Sequence, residues 1–285
     1  MRSSPACVIG AFVALIQVAP SGSLIDRVKT LGRELRIEDQ ADVPAYDRAI
    51  AGGGAAELDK LLRDVTLQEL RANPSVSAEE LRGRLRSIYF PWNFDTDAKG
   101  RQPDVARVLL GERPVFVVSW LSFLGGGGAP KSHAQILAYT LGAQGWALAA
   151  STGDFLNDHV MFFAPVVSHH PGECWFLIYG TRSGSNRADM NVALVAFNGA
   201  TFTTRWSYGD LAFGEMIGIT QSGFQIGYRA YFASGPNFFE VLEDLAFTTE
   251  GAAVKSRSIR APTPPDDQRI NPPASIVPAP TVSSS

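Results

Sequence analysis

Residues 191–210 read NVALVAFNGATFTTRWSYGD, two runs of β-branched and aromatic residues on either side of Asn198-Gly199. Asn-Gly is the dipeptide preferred in a two-residue type I′ hairpin turn, because both turn residues need a positive φ. The stretch therefore predicts a β-hairpin with Gly199 in a left-handed conformation. It is the clearest example of a pattern that fills the second half of the chain.

The same pattern recurs four more times between residues 135 and 259. The glycines expected at the turns follow one another at intervals of 27, 27, 24 and 28 residues. Such regular spacing of short strands and turn signals is typical of an all-β meander. The five turn glycines are Gly145, Gly172, Gly199, Gly223 and Gly251.

Eleven strands are expected, the first from the apolar run at 115–123. The other ten pair as 136–141 with 146–151, 159–167 with 174–179, 192–197 with 202–208, 216–220 with 224–231, and 239–247 with 253–259.

An antiparallel meander of this length closes as a two-sheet sandwich, an up-and-down barrel or blades of a propeller. A propeller blade takes four strands, so about three blades fit here, against the usual minimum of four. The form of an apolar run, Asn-Gly and Phe-x-x-x-Trp resembles propeller hairpins in general, and it covers single hairpins only. We expect an α+β fold: a short helical section packed on an antiparallel meander, closed as a sandwich or barrel, with an incomplete β-propeller as the alternative.

Charged residues are dense over 24–90, and apolar residues there recur at helical spacing. Leucine and valine stripes predict one helix around 24–35 and a second around 58–65, with the glycines of 51–54 between them. A third helix has a start signal as well, because Ser77 and Glu80 fit the capping box. Three short amphipathic helices must bury their stripes on one another or on the sheet.

The chain divides into five sections. Residues 1–23 carry Arg2, an apolar run and then small residues, the layout of a cleaved secretory signal peptide. The helical section spans 24–90, a turn-rich connection 91–112, and the β-meander 113–260. The Pro- and Ser-rich segment 261–285 predicts a disordered tail. We expect no transmembrane segment after the signal is removed, because its apolar run is shorter than the roughly 20 residues that cross a bilayer.

Composition limits the classes of partner and the chemistry to be expected. The formal net charge of −3 gives no reason to expect nucleic acid. With the signal removed, Cys174 is the single cysteine, and its apolar strand favours a buried thiol over a reactive one. The signal peptide predicts a secreted or periplasmic protein.

The glycine-rich stretch 125–132 lies one residue from a phosphate-binding loop, but Pro130 stands where the second glycine belongs. Proline has no N–H to give to a phosphate, so a flexible strand connection is favoured. No other catalytic motif is present in the sequence. The residues that remain for an acid-base site are Asp154, Asp158, His159 and His133.

Three residues at a hairpin tip, His169, His170 and Glu173, have side chains that bind transition metals. Neighbouring strand residues point in opposite directions, so at most two would converge on one ion, and a polar turn is the favoured interpretation. The oxygen-rich loops 154–159 and 186–191 lack the spacing of a calcium loop. No cofactor is expected, and Ca²⁺ or Zn²⁺ are the ions these residues would take.

Aromatic residues along the strands are the remaining candidates for ligand binding, because sugars and peptides stack on exposed rings. We expect a non-catalytic binding or structural module that holds a glycan or protein surface on an aromatic-lined β face. The alternative is an extracytoplasmic hydrolase with its acid-base site in the loops around 154–159. The candidate binding aromatics are Trp146, Trp175, Trp206, Tyr208 and Tyr228.

Overall fold

A computed structural model describes residues 21–35, 42–89, 103–121, 134–153, 160–184, 187–231 and 238–261. Four helices precede all of the strands, which confirms the α+β class. None of the described helices is both long enough and apolar enough to span a membrane. The helices are α1 (Ser21–Glu34), α2 (Val43–Ala51), α3 (Gly54–Ala72) and α4 (Ala78–Ile88).

The described strands number twelve and form three separate four-stranded antiparallel sheets. Sheet 1 holds β1 (Asp104–Leu110), β2 (Arg113–Leu121), β3 (Ala134–Gly142) and β4 (Gly145–Thr152). Sheet 2 holds β5 (Val160–Val166), β6 (Cys174–Gly184), β7 (Arg187–Phe197) and β8 (Phe202–Ala212). Sheet 3 holds β9 (Glu215–Ile219), β10 (Gly223–Tyr231), β11 (Phe238–Thr248) and β12 (Gly251–Arg260).

In each sheet, strands that follow one another in the chain lie side by side, so the repeating unit is a four-stranded meander. The sheets stack face to face, and the described strands close no barrel. The sandwich prediction is therefore the one confirmed. A four-stranded meander is also the unit of a propeller blade, and three such units are fewer than the usual minimum of four.

The layers are held by three apolar cores. The helices pack on one face of sheet 1, with Leu58, Leu62 and Trp120 at most 1% exposed. The other face of sheet 1 packs on sheet 2 through side chains that include Val117 and Phe176. The second face of sheet 2 packs on sheet 3. Both faces of sheets 1 and 2 are thus covered, which explains their continuous apolar runs.

Rings of sheet 1 fasten the helical layer by donating hydrogen bonds to it. Trp120 Nε1 donates to Thr66 Oγ1 over 3.2 Å. Tyr139 donates through its hydroxyl to a backbone carbonyl of α3 over 3.1 Å. Helix α4 begins at the predicted capping box, where Ser77 Oγ accepts the Glu80 N–H at 3.1 Å and Glu80 Oε2 accepts the Ser77 N–H at 2.9 Å. This prediction is confirmed.

Two elements were not predicted. Helix α2 is short, and its Pro44 lies in the first turn, where proline fits a helix well. Strand β1 occupies most of the described part of the predicted turn-rich connection, so that prediction is wrong for Asp104–Leu110. The charged residues of β1 interrupt the apolar and β-branched run by which a strand is predicted. It forms because a tight turn with Gly111 at φ 63° pairs it with β2.

The turn predictions hold in part. Gly145, Gly172, Gly199 and Gly251 have positive φ, as expected. The two-residue type I′ turn at Asn198-Gly199 is wrong, because β7 ends at Phe197 and β8 begins only at Phe202. Asn198 instead closes a four-residue loop, its Oδ1 accepting the backbone N–H groups of residues 200 and 201 at 3.0 and 2.9 Å.

Gly223 is a strand residue and has no positive φ. A Cβ there would lie 1.9 Å from the backbone oxygen of Leu245 on the neighbouring strand. The position is glycine because two backbones approach closely, not because the chain turns.

Candidate functional site

The five aromatic side chains predicted to bind a ligand are all buried, with at most 6% of their surface exposed. Trp146 packs 5.0 Å from the Phe116 ring and donates a hydrogen bond from Nε1 to the Pro74 carbonyl at 3.2 Å. These rings pack between layers, and a ligand that stacks on a ring would need a different surface. Their exposures are Trp146 1%, Trp175 1%, Trp206 5%, Tyr208 3% and Tyr228 6%.

A polar network that was not predicted joins sheets 2 and 3. The Tyr208 and Tyr228 hydroxyls lie 3.1 Å apart, and Tyr228 donates to Glu243 Oε1 over 3.2 Å. Glu243 is fully buried and its carboxylate forms an ion pair with Arg257 on β12. Burial raises the pKa of both tyrosines. The sequence signal was an acidic residue at an inward position of β11, between Val241 and Leu245.

This polar network stabilises the contact between sheets 2 and 3. Glu243 Oε2 is buried with no hydrogen-bond partner among the described residues. A buried carboxylate in that state depends on its cation for neutralisation. Arg257 supplies it from the outer strand of sheet 3, and thereby fixes β12 to the core.

The predicted metal residues lie in the turn between β5 and β6, where their side chains contact neighbouring strands and the β11–β12 turn. The two carboxylate oxygens of Glu173 accept hydrogen bonds from Trp175 Nε1, at 2.8 Å, and from Arg205. His170 Nε2 lies 2.5 Å from the Thr249 carbonyl oxygen in the β11–β12 turn. His169 is exposed beside the Trp175 ring. The described residues hold no group of three His, Cys, Asp or Glu side chains placed to bind a metal.

The predicted catalytic residues lie outside the described residues. They are Asp154, Asp158, His159 and His133, and the glycine-rich stretch 125–132 lies outside as well. Cys174 is described and is 7% exposed, and burial raises the pKa of its thiol. The prediction that Cys174 is buried is therefore confirmed.

One candidate surface is the outer face of sheet 3, the face turned away from sheet 2. No element among the described residues covers it. The strand register arranges its side chains in three rows across the sheet. One row holds Arg229, Glu240 and Arg260; the middle row holds Glu215, Gly227, Leu242 and Ser258; the third holds Gln225, Asp244 and Ser256.

Two shallow grooves cross this outer face, with volumes of ≈ 380 Å³ and ≈ 580 Å³. Ile217 lines both grooves and is 47% exposed. Gly218 lines the larger groove, and a Cβ added to it would have no neighbour within 4 Å. Phe213, at the end of the smaller groove, is 41% exposed. The outer face of sheet 3 thus combines exposed apolar side chains with shallow, open grooves.

Charges of both signs border these grooves. Asp244 accepts hydrogen bonds from Gln225 at 2.7 Å and Ser256 at 2.6 Å, and these bonds lower its pKa. At the other end, the Arg229 guanidinium lies 4.7 Å from the centre of the Phe213 ring and 4.4 Å from that of Phe238. Counted over the rows and groove linings, three cations (Arg229, Lys255 and Arg260) face three acids (Glu215, Glu240 and Asp244).

The chain was compared with known protein families, with curated proteins and with solved structures, and none of the three comparisons found a match. The functional argument therefore rests on the residues and geometry of this chain.

Proposed function

We propose that the protein is a non-catalytic, extracytoplasmic binding module that holds a protein surface on the outer face of sheet 3. One observation carries the proposal. The described structure covers both faces of sheets 1 and 2 with other layers, and it leaves this outer face uncovered. Exposed apolar side chains within a polar rim are typical of protein interaction sites. The extracytoplasmic location rests on the predicted signal peptide.

A protein partner fits this surface better than a glycan does. Sugars bind by stacking on accessible tryptophan or tyrosine rings, and the five candidate rings are buried. Phe213 is the exposed ring at the grooves, but the Arg229 guanidinium already lies over it. What the face offers instead is aliphatic area and paired charges, the chemistry of a protein interface.

The hydrolase alternative depends on Asp154, Asp158, His159 and His133. These residues are not described, so no contact or distance supports it.

Site-specific photo-crosslinking tests the proposal. One full-length variant carries benzoylphenylalanine in place of Ile217, and a control carries it in place of Leu148 on sheet 1. The two side chains are 47% and 38% exposed, so they differ mainly in location. Each variant is irradiated in an extract of the cells that produce the protein, with and without excess unlabelled protein.

The expected result is a discrete protein adduct at Ile217 and no such adduct at Leu148. Excess unlabelled protein removes an adduct with a different protein, whereas it increases an adduct between two copies of this chain. Equal crosslinking at both positions, or none at Ile217, would refute the proposal. Binding to a glycan array that is lost in Phe213→Ala would replace the protein partner with a sugar.

A further inference from the structure

The outer face of sheet 3 is just large enough to form a specific interface. Strands in a sheet lie about 4.8 Å apart and rise about 3.3 Å per residue, so four strands that average about nine residues present roughly 19 by 30 Å. A second sheet of the same size would bury on the order of 1,100 Å² in total. Specific interfaces generally exceed about 1,000 Å².

The charges on the outer face of sheet 3 can complement the same face of a second copy of the chain. A twofold dimer brings the same patch of both copies together, so the patch must complement itself. A face of one sign would repel its copy, because like charges placed together cost several kcal/mol. Here three cations and three acids balance. In the row that contains cations, Glu240 lies between Arg229 and Arg260.

The packing mode already exists within the chain. Sheets 1, 2 and 3 stack face to face in sequence, and each contact joins two four-stranded meanders. Sheets pack face to face when side chains of the two facing surfaces interdigitate, so a further sheet can pack on a face that carries apolar groups near its centre. Ile217 and Leu242 provide such groups between the charged rows.

We propose that a second copy of this chain occupies the outer face of sheet 3, so that sheet 3 of one protomer packs on sheet 3 of its partner about a twofold axis. This inference rests on the proposed function, because it names the partner of the same surface. Gly218 and Gly227 leave the grooves open, and apolar side chains of the partner enter them.

Self-complementarity has a signature that a charge-swap experiment detects. An acidic-face variant combines Arg229→Glu with Arg260→Glu, and a basic-face variant combines Glu215→Lys with Glu240→Lys. Sedimentation velocity of the full chain from 1 to 100 µM should show a wild-type dimer. Each variant alone should associate at least tenfold more weakly, and an equimolar mixture of the two variants should regain the dimer.

A second pair of variants distinguishes a blocked interface from a loss of folding as the cause of weaker association. Gly218→Gln fills the larger groove, and Gly142→Gln adds the same side chain to sheet 1. Neither Cβ would have a neighbour within 4 Å, and neither glycine has a positive φ. Gly218→Gln should weaken the dimer at least tenfold, and Gly142→Gln should leave it unchanged.

Two results would overturn this inference. One is a wild-type chain that stays monomeric at 100 µM, and the other is a mixture of charge variants that does not associate. Photo-crosslinking at Ile217 separates this failure from failure of the proposed function. A monomeric chain that still gives a competed adduct with a different protein keeps the binding function and loses only the second copy.

Discussion

Gly223→Ala tests whether this position in sheet 3 is glycine for steric reasons between strands. The added Cβ would lie 1.9 Å from the Leu245 carbonyl oxygen and 2.9 Å from its carbon. Ordinary van der Waals contact begins at 3.4 Å, so the ends of β10 and β11 must separate by about 1.5 Å. Both obstructing atoms belong to the backbone, so no rotamer change relieves the overlap.

The cost follows from the hydrogen bonds that this separation breaks. The Phe247 N–H donates to the Ser222 carbonyl at 2.9 Å, and a further 1.5 Å removes that bond and strains the adjacent ladder. Two or three lost bonds at about 1 kcal/mol each give a loss of about 2 to 3 kcal/mol. The lower entropy of the unfolded alanine chain offsets about 0.5 kcal/mol of it.

Two matched substitutions separate this effect from other costs of replacing glycine. Gly145→Ala has open space around the new Cβ but a φ of 90°, so it should cost about 1 to 2 kcal/mol from backbone strain alone. Gly83→Ala lies on an exposed face of α4 with no neighbour within 4 Å. It should stabilise the protein by about 0.5 to 1 kcal/mol, because alanine is the better helix former.

Urea denaturation followed by tryptophan fluorescence and circular dichroism measures all three changes in the free energy of unfolding. The order of stability should be Gly83→Ala above wild type, then Gly145→Ala, then Gly223→Ala. If Gly223→Ala lost no more than Gly145→Ala, the close approach of β10 and β11 would be refuted.

Three further predictions concern other contacts. Ser77→Ala removes the cap of α4 and should lower the free energy of unfolding by about 1 kcal/mol, measured in urea; an unchanged midpoint would show that the cap is dispensable. Arg257→Met leaves the buried Glu243 carboxylate without its cation and should cost about 3 kcal/mol, whereas the double variant with Glu243→Leu should regain most of it; thermodynamic additivity in this double-mutant cycle would contradict the stabilising role of the ion pair. Burial works to raise the pKa of Glu173, but hydrogen bonds from Trp175 and Arg205 lower it overall, so its stabilising contribution is present above the usual glutamate pKa and is lost as the pH falls through the lowered value. The stability difference between wild type and Glu173→Gln should therefore shrink from pH 7 to pH 3, and a difference independent of pH would refute the assignment.

Features that depend on neighbouring residues could be predicted from the sequence. The capping box at Ser77 and Glu80 is confirmed because both partners lie within one helical turn. Four of the five predicted turn glycines have positive φ, since a tight turn selects glycine by local geometry alone. The β-branched and aromatic runs also predicted eleven of the twelve described strands.

Features that depend on distant residues required the tertiary structure. Period-two alternation shows that a strand has two faces, but it does not show what covers each face. Trp146 and Trp175 are therefore core residues in a pattern that also suited a binding face. Gly223 is glycine because of Leu245, which follows it by 22 residues, and not because of its neighbours in a turn.

The candidate binding surface was decided by stacking alone. Strands β9 to β12 resemble the earlier hairpins in composition, yet they form the one sheet with a face that no described layer covers. The acidic side chains illustrate the difference, because Glu243 faces sheet 2 and is fully buried, whereas the adjacent Asp244 points to the outer face. A single step along the chain reverses the face, but only the position of the neighbouring sheet determines which face water reaches.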